Sequence, residues 1–125
     1  FEDWLDIHTL AGRIGASDVV LGVFGTTGKA FRVIPNKVYQ ALAVGRPVIS
    51  GDTPAFDDRF HASTPAAMAF TPPGNPEALA KQIGDWARDP ALLERRGLAA
   101  HALFRSEFAE EPLRKGLMRS LTALL

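Results

Sequence analysis

Between Phe24 and Arg46 the chain carries four cations, Lys29, Arg32, Lys37 and Arg46, and no acid. Three glycines, Gly22, Gly25 and Gly28, precede or punctuate this stretch. Glycine lets backbone approach a ligand closely, and a helix N-terminus presents unpaired N–H groups with a partial positive charge. The residues "IPNKVYQALAVGRPVIS", 34 to 50, read as such a helix start, with Asn36 and Lys37 in its first turn. The chemistry these residue types support is the holding of an anion such as a phosphate. The same pattern also fits a surface loop of solvated cations, and spacing alone leaves both readings open. The glycines of "GVFGTTG" are spaced G-x-x-G-x-x-G, which is neither the dinucleotide fingerprint nor a P-loop ending in Lys-Ser/Thr.

Other reactive side chains carry less. His8, His61 and His101 are widely scattered, without the spacing of metal ligands, so no metal site is expected. Asp52, Asp57 and Asp58 fit contact with a bound sugar or the capping of a turn, the second being commoner. Ser50 and Ser63 lack a nearby base and the G-x-S-x-G elbow, so nucleophilic catalysis is not expected. Trp4, Trp86, Phe104 and Phe108 are expected in the core. On the helix after Pro35, Val38, Ala41, Leu42 and Gly45 form a packing face, whereas Lys37 and Gln40, three apart, share a side away from it. Gln40 by itself reads as a solvated side chain.

The elements that must position these residues alternate. Ile7, Leu10, Ala11 and Ile14 have helical spacing, predicting a helix over 7–16. "DVVLGVF", 18 to 24, is a β-branched run without polar alternation, as in a strand covered on both faces. A glycine-bounded loop follows, then the helix near Asn36, a stop at Gly45-Arg46-Pro47, and the strand "RPVIS". "GDTPAFDDRFHASTPA" reads as loop with a short helical turn, and "AMAFTP" as a third strand. Asn75-Pro76-Glu77 opens a helix to about Arg88, and Asp89-Pro90 opens another to about Phe108. A last helix from about Pro112 places Leu113, Leu117, Leu121 and Leu124 on one stripe. Alternation of this kind predicts an α/β fold, a Rossmann-like parallel sheet with flanking helices and a helical tail. In such sheets ligands bind at the carboxyl ends of the strands, here the loops 24–36 and 51–60.

Size and charge narrow the function classes. With 125 residues there is room for one domain and one core. Lysine plus arginine equal aspartate plus glutamate at 14 each, so no global field draws the chain to nucleic acid or an anionic membrane. Cysteine is absent, which excludes disulfides, thiolate metal sites and a cysteine nucleophile, and fits a cytoplasmic setting. No apolar run reaches the roughly 18 residues of a membrane span.

Taken as a longer pattern, "IPNKVYQALAVGRPVISGDTPA" resembles the signature in the C-terminal half of group 1 glycosyltransferases of the GT-B fold. "ASDVVLGVFG" is similar to that family's "aDv-l" strand, and "FTPPGNPEALAKQI" to its "ppGdpeaLA" stretch. "DPALLERRGLAAHALFRSEF" is similar to its closing helices. The likeness covers nearly the whole chain, in order. It implies that residues 1–125 are a single partial domain, the Rossmann-like part that binds a nucleotide-sugar donor. The acceptor domain, and the strands upstream of Phe1, would then lie outside these residues.

By this resemblance the first turn near Asn36 and Lys37 would sit beside the donor diphosphate, together with Gly25 and Gly28. Arg32 would be a further phosphate cation. The family often has two acids separated by seven residues, the second bonding the ribose hydroxyls. Here those positions are Arg32 and Gln40, and Gln40 would meet ribose through its uncharged carbonyl oxygen. The implied activity of a parent enzyme is sugar transfer from a nucleoside-diphosphate sugar, the donor being substrate and no cofactor being required. The residues here would be inactive alone, because the family's general base usually comes from the other domain. A GT-B-fold sugar-nucleotide epimerase and a non-catalytic nucleotide-binding or assembly module are the alternatives. An uncovered sheet edge would give the chain a route to pairing with a second copy.

Overall fold

A computed structural model describes residues 4–63 and 66–125. Helix α1 (Ile7–Gly15) starts where Asp6 accepts hydrogen bonds from the His8 and Thr9 N–H groups, at 3.0 and 3.1 Å. Strand β1 is Val20–Leu21, much shorter than the predicted 18–24. Helix α2 (Asn36–Ala43) follows the glycine loop. It ends in a Schellman turn: Gly45 takes φ +71, its N–H bonds Leu42 O, and the Arg46 N–H bonds Ala41 O at 2.8 Å.

Strand β2 (Val48–Gly51) is buried along its whole length. Helix α3 (Asp58–Ala62), capped by Asp57, is the short turn expected within the second loop. Thr64 and Pro65, also in that predicted loop, lie outside the described residues. Strand β3 is Met68–Thr71. Helices α4 (Pro76–Ala87) and α5 (Pro90–Leu103) begin as their sequences predict. Asn75 caps Ala78 N–H and Asp89 caps Leu92 N–H, both at 2.9 Å, with proline at each first helical position. The predicted run of α5 to Phe108 breaks at Phe104 into a π-helical turn, Phe104–Phe108, closed by an Ala109 N–H to Phe104 O bond of 2.9 Å. Helix α6 (Glu110–Thr122) starts two residues before Pro112.

The three strands are parallel, in the order β1-β2-β3, with Val20 opposite Val48 and Val48 opposite Met68. Side-chain alternation divides the core between the two faces. Val48 and Met68 join Val38, Ala41, Leu42, Phe60, Ala100 and Phe108 on the side of α2, α3 and the π turn. Ile49 and Ala69 join Trp86 of α4 on the other. This is an α/β sheet with helices on both faces, consistent with a Rossmann-like arrangement.

Phe60 is fully buried at the centre of the larger cluster. Its ring stacks on Phe108 at 4.8 Å and meets Phe56 edge-on at 5.3 Å. The buried Arg96 guanidinium lies over Trp86 at 4.5 Å and donates to Ala66 O at 3.3 Å, joining α5 to α4 and to the chain before β3. Burial pushes that guanidinium below its ordinary pKa.

One expectation about the core fails. Trp4 is 89% exposed, because it precedes the Asp6 cap and so lies outside the helical face that packs. The predicted leucine stripe has Leu113, Leu117 and Leu121 on α6 and Leu124 just beyond it, all four exposed.

Candidate functional site

After β1 the chain crosses the carboxyl ends of its neighbours instead of leaving the sheet directly. Gly22 N–H bonds Ile49 O at 2.8 Å, Gly51 N–H bonds Val23 O at 2.9 Å, and Gly74 N–H bonds Phe24 O at 2.9 Å. The fully buried Ser50 hydroxyl sits between them, accepting from Val23 N–H at 3.3 Å and lying 3.4 Å from Val23 O. A Cβ on Gly22 would stand 2.3 Å from Ser50 Oγ, and one on Gly51 would stand 2.7 Å from Val23 O. Glycine is therefore dictated at 22 and 51 by sterics, with both backbones pressed against neighbours. The strap Gly22–Phe24 delivers the glycine loop to the middle of the sheet's carboxyl edge.

The loop itself is a compact turn. Thr27 Oγ1 accepts from Ala30 N–H at 3.3 Å and Phe31 N–H bonds Thr27 O at 3.2 Å. Ala30 is buried beneath it. At Gly25 and Gly28 the nearest atoms to an added Cβ are Ala30 Cβ at 3.7 Å and Arg32 Nη2 at 3.8 Å. A side chain at either position would meet only ordinary van der Waals contacts, and the Arg32 guanidinium lies beside Gly28. Sequence reasoning joined Gly25, Gly28 and Arg32, and the fold brings Gly28 and Arg32 together.

Asn36 and Lys37 form the exposed first turn of α2. Pro35 occupies the capping position, with no side-chain cap, and the first turn contains no acid. Val38 N–H turns back to Pro35 O at 3.0 Å, whereas the N–H groups of Asn36 and Lys37 have no partner among the described residues. Lys29, Arg32 and Lys37 are exposed, and none is ion-paired among the described residues. Some other exposed cations are neutralised locally, Lys81 and Arg88 by Asp85 and Arg114 and Lys115 by Glu111. Unpaired cations, free N–H groups and the absence of acid in its first turn make the start of α2 locally electropositive, while Asp52 follows β2 on the same carboxyl edge.

Gln40 departs from its expected exposed position. It is half-buried and lines a groove of about 190 Å³ between α1 and α2, with Ile7, Leu10, Ile14, Ala43 and Val44. The groove exists because α1 lies alongside α2, which the α2 sequence could not reveal.

The aspartates divide as turn chemistry predicts. Asp57 caps α3 and holds Arg59 in a forked pair, with Nη2 to Oδ2 at 2.6 Å, and the Arg59 hydrogen bonds keep its carboxyl below the ordinary range. Asp58 lies in the first turn of α3. Asp52 pairs with His61 at 3.7 Å, and the His61 ring packs on Phe70. His101 Nδ1–H donates to Ala43 O at 2.9 Å, capping the end of α2. Among the described residues no group of three His, Asp or Glu could hold a metal ion, and no helix is long and apolar enough to cross a membrane.

The sequence does not reveal the structural roles of Ser50 and Gly74. Their partners, Val23 and Phe24, lie 27 and 50 positions away, so no local pattern marks them. What the edge can do chemically is hold an anion through backbone N–H groups and flanking cations. Ser50 Oγ is committed to Val23 and buried, which removes it as a nucleophile. No protein-family model matches this chain, and no curated protein or solved structure matches it.

Proposed function

We propose that this chain is the donor-binding part of a nucleotide-sugar glycosyltransferase of the GT-B type, holding a nucleoside-diphosphate sugar by its diphosphate. The observation that carries the reading is the uncapped, acid-free start of α2 beside unpaired Arg32 and Lys37. The resemblance of "IPNKVYQALAVGRPVIS" to the group 1 signature supplies the substrate class. In this reading Asn36 and Lys37 offer backbone N–H groups to the phosphates, Arg32 and Lys37 offset their charge, and Gly25 and Gly28 give close access. A leaving diphosphate held there would have its developing charge stabilised by the same groups.

The test is titration of the folded chain with UDP, GDP and ADP by calorimetry. One of the three should bind, and Lys37→Ala should weaken that binding about tenfold, as expected for loss of one charge-assisted contact of roughly 1.4 kcal/mol. A folded protein that binds none of the three refutes the donor-site reading.

A second reading, a nucleotide-binding module without transfer activity, is favoured by Gln40. Its uncharged side chain lines the groove beside α1, at the position where the group 1 pattern has a ribose-bonding acid. Gln40→Glu separates the two. Tighter nucleoside-diphosphate binding by this variant supports a retained ribose contact, and unchanged binding supports the module.

A further inference from the structure

The turn between β3 and α4, Pro72–Asn75, meets the glycine loop at one point. Gly74 N–H bonds Phe24 O, and a Cβ on Gly74 would stand 2.9 Å from Thr26 Cγ2. Gly74 takes φ +71, Asn75 N–H closes on Pro72 O at 3.3 Å, and the Asn75 side chain caps α4. Two prolines with fixed φ, an internal bond and a helix cap make this turn stiff. Thr26 lies between Gly25 and Thr27, and Thr27 holds the turn over Ala30. Thr26 is therefore the bridge between a rigid turn on one strand and an open, cationic loop on another.

We infer that the Pro72–Asn75 turn positions the anion-binding loop, with Gly74 and Thr26 as the contact pair through which it does so. The functional consequence rests on the donor-site reading, whereas the contact itself does not. Gly74 is then a positioning residue. It touches no ligand, but any side chain there pushes on Thr26 and so moves Gly25 and Thr27 together. Threonine is stiff about χ1 and carries two heavy atoms on Cβ, so relief by side-chain rotation alone is restricted.

The experiment uses Gly74→Asn, because asparagine tolerates the left-handed conformation better than other side chains and so isolates the contact from backbone strain. Thr26→Ser removes Cγ2, keeps the hydroxyl, and should relieve the contact. Backbone amide NMR of the four proteins (wild type, both singles and the double) reads the loop without ligand. Titration with inorganic pyrophosphate reads the anion site. Gly74→Asn should shift the Gly25, Thr27 and Gly28 amides and weaken pyrophosphate binding about tenfold, the scale of a displacement well under 1 Å. The double variant should recover most of both. Unmoved loop amides in Gly74→Asn, or a double variant no closer to wild type than the single, overturn the inference. Should Gly74→Asn not fold, Thr26→Ser alone decides: it removes Cγ2, so the amides at Gly74 and Asn75 must shift if the contact is real, and unshifted amides overturn it. A wild type that ignores pyrophosphate refutes the anion site, and the amide shifts still decide the contact.

Discussion

Replacing Gly97 by alanine sets two ordinary rules against each other. In a helix interior alanine is favoured over glycine by about 1 kcal/mol, because it loses less backbone freedom on folding. At Gly97, however, a Cβ would stand 2.6 Å from the Gly45 carbonyl oxygen, which belongs to backbone and cannot swing aside. Helix α5 and the end of α2 must then part by several tenths of an ångström, and overpacking of this kind costs about 1–3 kcal/mol. The same separation stretches the His101 to Ala43 hydrogen bond, 2.9 Å in the native fold, a contact worth about 1 kcal/mol. Propensity offsets only part of this, leaving a net destabilisation of about 1–3 kcal/mol, or a Tm lower by about 4–12 °C. Gly116 is the control: it lies in α6 with nothing within 4 Å of an added Cβ. Gly116→Ala should stabilise by roughly 0.5–1 kcal/mol, since only propensity acts there. Urea unfolding of both variants, with slopes compared, measures the pair. A Gly97→Ala protein at least as stable as wild type would mean that α2 and α5 do not meet backbone to backbone, and the reasoning would fall.

Two further outcomes follow from the core and the caps. Phe60→Ala should cost about 3–5 kcal/mol, because it empties the centre of an aromatic cluster; a loss below about 1 kcal/mol in the same unfolding assay would show that Phe56, Tyr39 and Phe108 do not depend on it. Asp57 titrates lower in the folded chain than its ordinary value of 3.8, chiefly through the Arg59 hydrogen bond, so its stabilising contribution is complete above that value and fades as pH falls toward the folded one. The stability difference between wild type and Asp57→Asn should accordingly hold from pH 7 to pH 5 and shrink below about pH 4, the ordinary aspartate range; a difference that grows on acidification contradicts the pairing.

How much was legible in advance depended on how local each cause was. The starts of α4 and α5 were readable from Asn75-Pro76 and Asp89-Pro90, and the end of α2 from Gly45, because capping acts over a few residues. The length of β1 was not, since Val23 and Phe24 turn aside to bond Gly51 and Gly74, partners that no local pattern reveals. Trp4 was placed in the core on residue type, but burial depends on which face of which element a residue joins. Glycine spacing points to Gly25 and Gly28, where an added Cβ would meet only ordinary contacts, while the positions where one would crowd its neighbours are Gly22, Gly51, Gly74 and Gly97. Tertiary contact, which spacing does not report, marks the glycines that the fold needs.

The π-helical turn at Phe104–Phe108 has a consequence for the angular phase of the chain. A turn closed by a five-residue bond holds more residues than an α-turn, so everything beyond it is rotated about the helix axis relative to an uninterrupted α5. That rotation sets Phe108 onto Phe60 and Tyr39. A chain shortened by one residue between Leu103 and Phe108 would gain a regular helix and swing Phe108 off the aromatic cluster. In this segment a better helix would make a worse core, because the surplus residue is what aligns the two.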